Sequence, residues 1–225
     1  MFESSVINMG VYILDLSAFL LLAGMIVYTK IYRQRGRLDD RIFFILLVLD
    51  MITAVFDVFP YCLENSGIPL EESILRAGNS IFWICIAVLP MLFVLYLDYL
   101  LYKDEERTKR IWKWLVLPVC YSVVLTAANL FLNFLYYKDE AGSYHFGDMY
   151  FLVYVPVYIY SVIIIALYWK HSKKMVAACL VLMAARMVLR LFMGYMSSTV
   201  FIFAVLFVYA HVYAMDEEFY GEETA

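Results

Sequence analysis

Five ionisable side chains stand inside long apolar runs: Asp15, Asp50, Asp57, Arg186 and Arg190. In hydrocarbon each is costly unless it is paired or wet, so each marks a structural or functional commitment. Asp50 and Asp57 are seven residues apart and the two arginines four apart, so on helices each pair shares one face. Matched by depth, Asp50 with Arg186 and Asp57 with Arg190 predict two acid–arginine layers, and Asp15 completes a buried ion-pair network. Such layers serve equally as a ladder that fixes helix packing or as a polar site that a ligand completes. Asn79, Asn129, Asn133, Tyr150, Tyr154 and Tyr158 are expected at the depth of the outer layer, several at i, i+4 spacing. Tyrosines in that pattern anchor packing and interfaces as readily as they build a ligand cage. The candidate ligand-binding set is therefore Asp57, Asn79, Asn129, Asn133, Tyr154, Tyr158 and Arg190, lining a crevice open to the outside. That crevice suits a small extracellular ligand. In the inner half, Asp98 and His211 fall near the boundary, and the sequence offers neither an evident partner.

Catalytic patterns do not assemble. Glu71, Glu72 and Arg76 in EESILR and Phe207 and His211 in FVYAH are similar to the EExxxR and FxxxH boxes of CAAX-type intramembrane proteases. The expected topology puts the two boxes on opposite sides of a bilayer about 30 Å thick, and no third, His-containing box follows. A retinal pump needs a buried amine, and the lysines cluster in loops and at helix ends, with none in the last helix. Cys62, Cys85, Cys120 and Cys179 lie in or beside four different apolar runs with no CxxC pair, which reads as small core residues. No catalytic residue, metal site or cofactor is expected.

The elements that must position these residues follow from composition. Of 225 residues, 65% are hydrophobic, 18% aromatic and only 17% charged, and the mean hydropathy is +0.78. That balance excludes a water-soluble enzyme, a disordered tail and a nucleic-acid binder. Apolar runs predict an all-α integral membrane protein with seven transmembrane helices at 6–29, 42–61, 74–102, 112–136, 149–169, 175–196 and 198–214. Seven spans of about 20 residues leave no room for a second folded domain. Lys30 to Arg41, Lys103 to Lys113 and Lys170 to Lys174 place 13 bases on one side, against Arg76 and Lys138 on the other. The positive-inside rule then puts the N-terminus outside and the C-terminus in the cytoplasm. Trp112, Trp114 and Trp169 fall at the inner boundary, where indole rings settle between tails and headgroups. Met1 to Asn8 carry no base, so helix one is expected to remain as a span rather than be cleaved as a leader. Pro60, Pro90, Pro118 and Pro156 fall within helices two to five and predict kinks or packing irregularities.

The run YYKDEAGSYHFGDMYF at 136–151, with Tyr144, His145 and Gly147, resembles a short Tyr-His-x-Gly hairpin. It occurs in the N-terminal seven-transmembrane sensory module of bacterial, Clostridia-type GGDEF and EAL cyclic di-GMP signalling proteins. MDEEFYGEETA at 215–225 is similar to the acidic, aromatic linker that leads there into the output domain, although Ala225 stands where the linker usually has glycine. The resemblance implies a sensor domain over 1–214 and a cytoplasmic linker over 215–225, with the output domain absent from this sequence. It further implies a multi-pass receptor in the bacterial cytoplasmic membrane that binds a small extracellular ligand. The last helix would relay the signal to a fused or partner cytoplasmic domain, a cyclic di-GMP cyclase or phosphodiesterase or a histidine kinase, with a homodimer bringing two such domains together. No catalytic residue carries over, because catalysis belongs to the output domain. The alternative is a small-solute transporter, for which matched half-bundles are expected and no internal repeat is found.

Overall fold

The computed structural model describes residues 2–32, 38–63, 71–138 and 144–170, together with 173–174, 176–177, 179–181 and 205. Five α-helices follow in order: α1 (Phe2–Tyr32), α2 (Leu38–Leu63), α3 (Glu71–Tyr102), α4 (Glu105–Leu132) and α5 (Val155–Tyr168). Between α4 and α5 lie a hairpin of β1 (Tyr136–Lys138) and β2 (Tyr144–Phe146) and a short 3-10 helix, Tyr150–Tyr154. The described chain is thus helical apart from one short hairpin. Three stretches, Ser73–Tyr102, Glu105–Leu132 and Tyr150–Tyr168, are long and apolar enough to cross a membrane. The expected sixth and seventh helices lie outside the described residues except for short helical pieces within 173–181 and at 205. Arg186, Arg190, His211 and the acidic 215–225 segment also lie outside them.

The first four helices begin earlier than apolar runs predict, and for α2 and α4 the reason is electrostatic. Asp39 and Asp40 open α2, and Glu105 and Glu106 open α4. Carboxylates there meet the positive end of the helix dipole, so a charged turn that hydropathy assigns to a loop is already helical. Asp104 caps α4 by accepting from the Arg107 amide at 3.0 Å. Only Lys103 and Asp104 separate α3 from α4, and Lys103 makes the reversal with φ 49° while its amide donates to the Tyr99 carbonyl at 2.8 Å. Pro90 and Pro118 are internal to α3 and α4. Pro156 instead sits in the first turn of α5, where its missing N–H costs nothing and its φ suits a helix start. The expected helix over 149–169 therefore begins as a 3-10 turn, and Pro156 marks a boundary rather than a kink.

α3 is the centre of the bundle. It packs against α2, α4 and α5, while α1 packs against α2. Its spanning stretch is 72% buried, against 22% for that of α4. Phe43 on α2 meets Tyr96 on α3 with ring centroids 5.3 Å apart, inside a core that includes Leu46, Leu47, Ile86, Leu89 and Phe93. The outer face of α4 is apolar and exposed at Leu117, Val124, Phe131 and Leu132, as a lipid-facing helix requires. Trp112, Trp114 and Trp169 are exposed as well, at the inner ends of their helices.

Helix directions follow from cross-contacts. The Phe43–Tyr96 ring contact and the Lys103–Asp39 ion pair at 3.9 Å make α2 and α3 antiparallel. α5 runs parallel to α3: Trp83 stacks edge-on against Tyr154 at 5.6 Å, and the Tyr168 hydroxyl donates to the Val94 carbonyl at 3.3 Å. The Tyr160 hydroxyl donates to the Leu115 carbonyl at 2.5 Å and ties α5 to α4. One end of the bundle, called inner below, accordingly gathers Lys30 and Arg41, Lys103 to Lys113, and Lys170. Arg76 belongs to the opposite, outer end.

Candidate functional site

At the outer end the chain must leave α4, reverse and enter α5. Asn133 ends α4 in the left-handed region at φ 53°, a conformation asparagine tolerates better than most residues, and its amide donates to the Asn129 carbonyl at 3.1 Å. Its side-chain oxygen accepts from Arg76 Nη1 at 2.8 Å, which fastens the start of α3 to the end of α4. Asn129 is buried, and its side-chain oxygen accepts from the Leu135 amide at 2.6 Å. Both carboxamides are thus engaged in closing the α4 terminus, a service that polar residues near a helix end often provide.

The hairpin follows with Tyr136 opposite Phe146, Tyr137 opposite His145 and Lys138 opposite Tyr144. Gly147 then folds back on the α4 exit. Its amide donates to the Leu135 carbonyl at 2.8 Å, and a Cβ at this position would collide with the Phe134 carbonyl oxygen. Only glycine permits that backbone approach.

The remaining sequence-predicted residues divide by face. Asp50 and Asp57 are both buried, and so is Thr53 between them, whose hydroxyl bonds the Leu49 carbonyl at 2.7 Å. They form one polar stripe on α2. Carried along the antiparallel pair from the Phe43–Tyr96 contact, Asp57 on α2 falls within about a turn of Asn79 on α3. Asn79 is half-buried there. Tyr154 is buried edge-on between Trp83 and Tyr150, whose ring lies 6.4 Å away. The buried stripe of α5 runs through Val157, Tyr160, Ile164 and Tyr168, so Tyr158 falls on its flank and is 49% exposed. The structure therefore brings Asp57 and Asn79 to one depth and buries Tyr154 against α3, whereas Tyr158 faces away from the core. The side chain of Asp15 and the partners Arg186 and Arg190 are outside the described side chains.

A second polar cluster, at the inner end, was not apparent in the sequence. Asp98 on α3 is fully buried. It accepts from Arg107 Nε at 3.0 Å, while the Tyr168 hydroxyl at 3.3 Å shares its one proton between Asp98 and the Val94 carbonyl, and the Thr108 hydroxyl at 3.4 Å shares its own with the nearer Asp104 carbonyl at 3.0 Å. The Arg107 guanidinium also stands 3.7 Å over the Tyr102 ring, a cation–π contact that holds its plane. Asp98, for which the sequence offers no evident partner, has an ion-pair partner in Arg107 and two hydroxyls within reach. Arg107 fell in what hydropathy reads as a loop, yet Asp104 followed by two acids is an N-terminal helix signature that puts Arg107 one turn into α4 and facing α3.

Among the described residues no group of three or more His, Cys, Asp or Glu side chains is placed to hold a metal ion. Comparison of the chain with protein-family models, curated proteins and solved structures finds no match. Fold and composition define a helical bundle with three segments long and apolar enough to span a membrane. Its polar groups lie in a stripe on α2, an outer turn and an inner cluster.

Proposed function

We propose that this chain is the sensory module of a bacterial membrane receptor. It is a seven-helix bundle of the cytoplasmic membrane with its N-terminus outside and its C-terminus in the cytoplasm. It takes a small polar ligand from outside and relays the event through the last helix to a cytoplasmic cyclic di-GMP enzyme or histidine kinase domain. The observation that carries the reading is the buried stripe of Asp50 and Asp57 inside an otherwise apolar bundle. Carboxylates kept at such depth mark a polar site by default, and the sequence supplies Arg186 and Arg190 at matching depth. The gathering of basic residues at one end supports the orientation. A cysteine placed at Arg35 is accordingly expected to stay unlabelled when intact cells meet a membrane-impermeant thiol reagent. Labelling from outside would overturn the topology.

A ligand shifts a conformational equilibrium only by its differential affinity for the two states. Arg190, which the sequence spacing matches in depth to Asp57, would offer contacts that differ between states on a sixth helix that moves. Fusing a diguanylate cyclase domain after Ala225 tests this. Arg190→Gln and Tyr154→Phe are each expected to change basal or stimulated cyclic di-GMP while the protein stays folded. Unchanged output in both would remove this pocket as the sensor, and ligand-driven solute flux in proteoliposomes would assign a transporter instead.

A further inference from the structure

We propose that Asp98 is a positioning residue that pins the inner ends of α3, α4 and α5 into one fixed unit, against which any moving helix must work. Three observations converge. The carboxylate is inaccessible to water, and its donors come from two other helices, Arg107 and Thr108 on α4 and Tyr168 on α5. A buried carboxylate that accepts several bonds, one of them charge-assisted, holds its donors in a narrow geometry, because releasing any of them leaves charge under-compensated in a medium of low dielectric. The α3–α4 reversal has only Lys103 and Asp104 to absorb a change, and both are committed, one as a left-handed terminus and the other as the cap of α4. Halfway along, the Tyr160 hydroxyl bond to the Leu115 carbonyl repeats the α4–α5 tie.

Nothing comparable pins the outer ends of α4 and α5 through a buried charge among the described residues. There the Tyr121 hydroxyl reaches the Leu152 carbonyl at 3.4 Å. The inner ends of these three helices are thus joined through one buried charge, whereas the outer ends of α4 and α5 are joined through the turn that Asn129, Leu135 and Gly147 close. Motion that reaches the inner surface is then carried by helices outside the unit. The inference stands apart from the sensor reading, since neither ligand nor output enters its test.

The test is a pair of spin-label distances in the full chain in nanodiscs, in a background freed of its four cysteines. One pair, at the exposed Glu106 and Lys170, reports the inner ends of α4 and α5, and the other, at the exposed Phe131 and Phe151, reports the outer ends. With Asp98 intact the inner pair is expected to give one narrow distribution. Asp98→Asn is expected to add a longer, broader population to the inner pair and to leave the outer pair unchanged. An unchanged inner distribution overturns the proposal, and so does equal broadening of both pairs, which would make Asp98 an ordinary stability element. If Asp98→Asn does not fold, Tyr168→Phe, which removes a single hydroxyl donor, is read by the same criteria.

Discussion

Arg107→Leu is expected to destabilise the bundle by about 3 kcal/mol, and Asp98→Leu by distinctly less. Breaking a buried pair by removing one partner typically costs about 3 to 5 kcal/mol, because the survivor is left with an uncompensated charge. The two survivors here are not equivalent. Asp98 is wholly enclosed by α3, α4 and α5, so without Arg107 its carboxylate keeps only the Thr108 and Tyr168 hydroxyls as described donors. Arg107 has a side chain 35% exposed, and without Asp98 it can extend toward the headgroup layer and remain over Tyr102. Tyr168 likewise retains the Val94 carbonyl when Asp98 is gone. The partial exposure of Arg107 keeps the loss at the low end of that range. Replacing both residues with leucine is expected to cost less than Arg107→Leu alone, since neither charge is stranded. Unfolding of the four proteins by SDS titration in mixed micelles closes the double-mutant cycle. Equal losses for the two single variants would mean that Asp98 is not enclosed in the way these contacts require.

What the sequence reveals about this fold depends on how each residue is stabilised. Long apolar runs identify α1 to α4 and the α5 region, because burial in a bundle or in lipid needs nothing more specific than oil. The clustering of bases is equally legible, and the Asp39–Lys103 pair and the Asp98 cluster draw three of those basic regions to one end. Helix starts are less legible because the acids opening α2 and α4 are polar and helical at once. That blind spot hid Arg107 and with it the partners of Asp98. Asn129 and Asn133 illustrate the converse difficulty. Two carboxamides one turn apart in an apolar helix read as a polar stripe, yet their oxygens serve the Leu135 amide and Arg76 at a chain reversal that periodicity does not disclose. Buried Asp50 and Asp57 remain the part of the candidate site where sequence spacing and structure describe the same α2 face.

Gly147→Ala is expected to destabilise the outer turn by about 1 to 3 kcal/mol or more, the range for forcing atoms into a packed site. Its Cβ would meet the Phe134 carbonyl oxygen and carbon and, at 3.3 Å, the Leu135 amide nitrogen. All three are backbone atoms, so no side chain can swing aside and the strand exit itself must move. That movement costs the 2.8 Å bond from the Gly147 amide to the Leu135 carbonyl and disturbs the bond between Leu135 and buried Asn129. Gly24 in α1 supplies the control, because a Cβ there meets nothing within 4 Å. Gly24→Ala is expected to leave stability unchanged or to raise it by up to about 1 kcal/mol through helix propensity. Amide hydrogen exchange separates a local from a global effect: Gly147→Ala should raise exchange at Leu135 and Asn133 while the inner turns of α3 and α4 keep their protection. If Gly147→Ala and Gly24→Ala shift the SDS midpoint alike, the close approach of Gly147 to the α4 exit is not a feature of the folded protein.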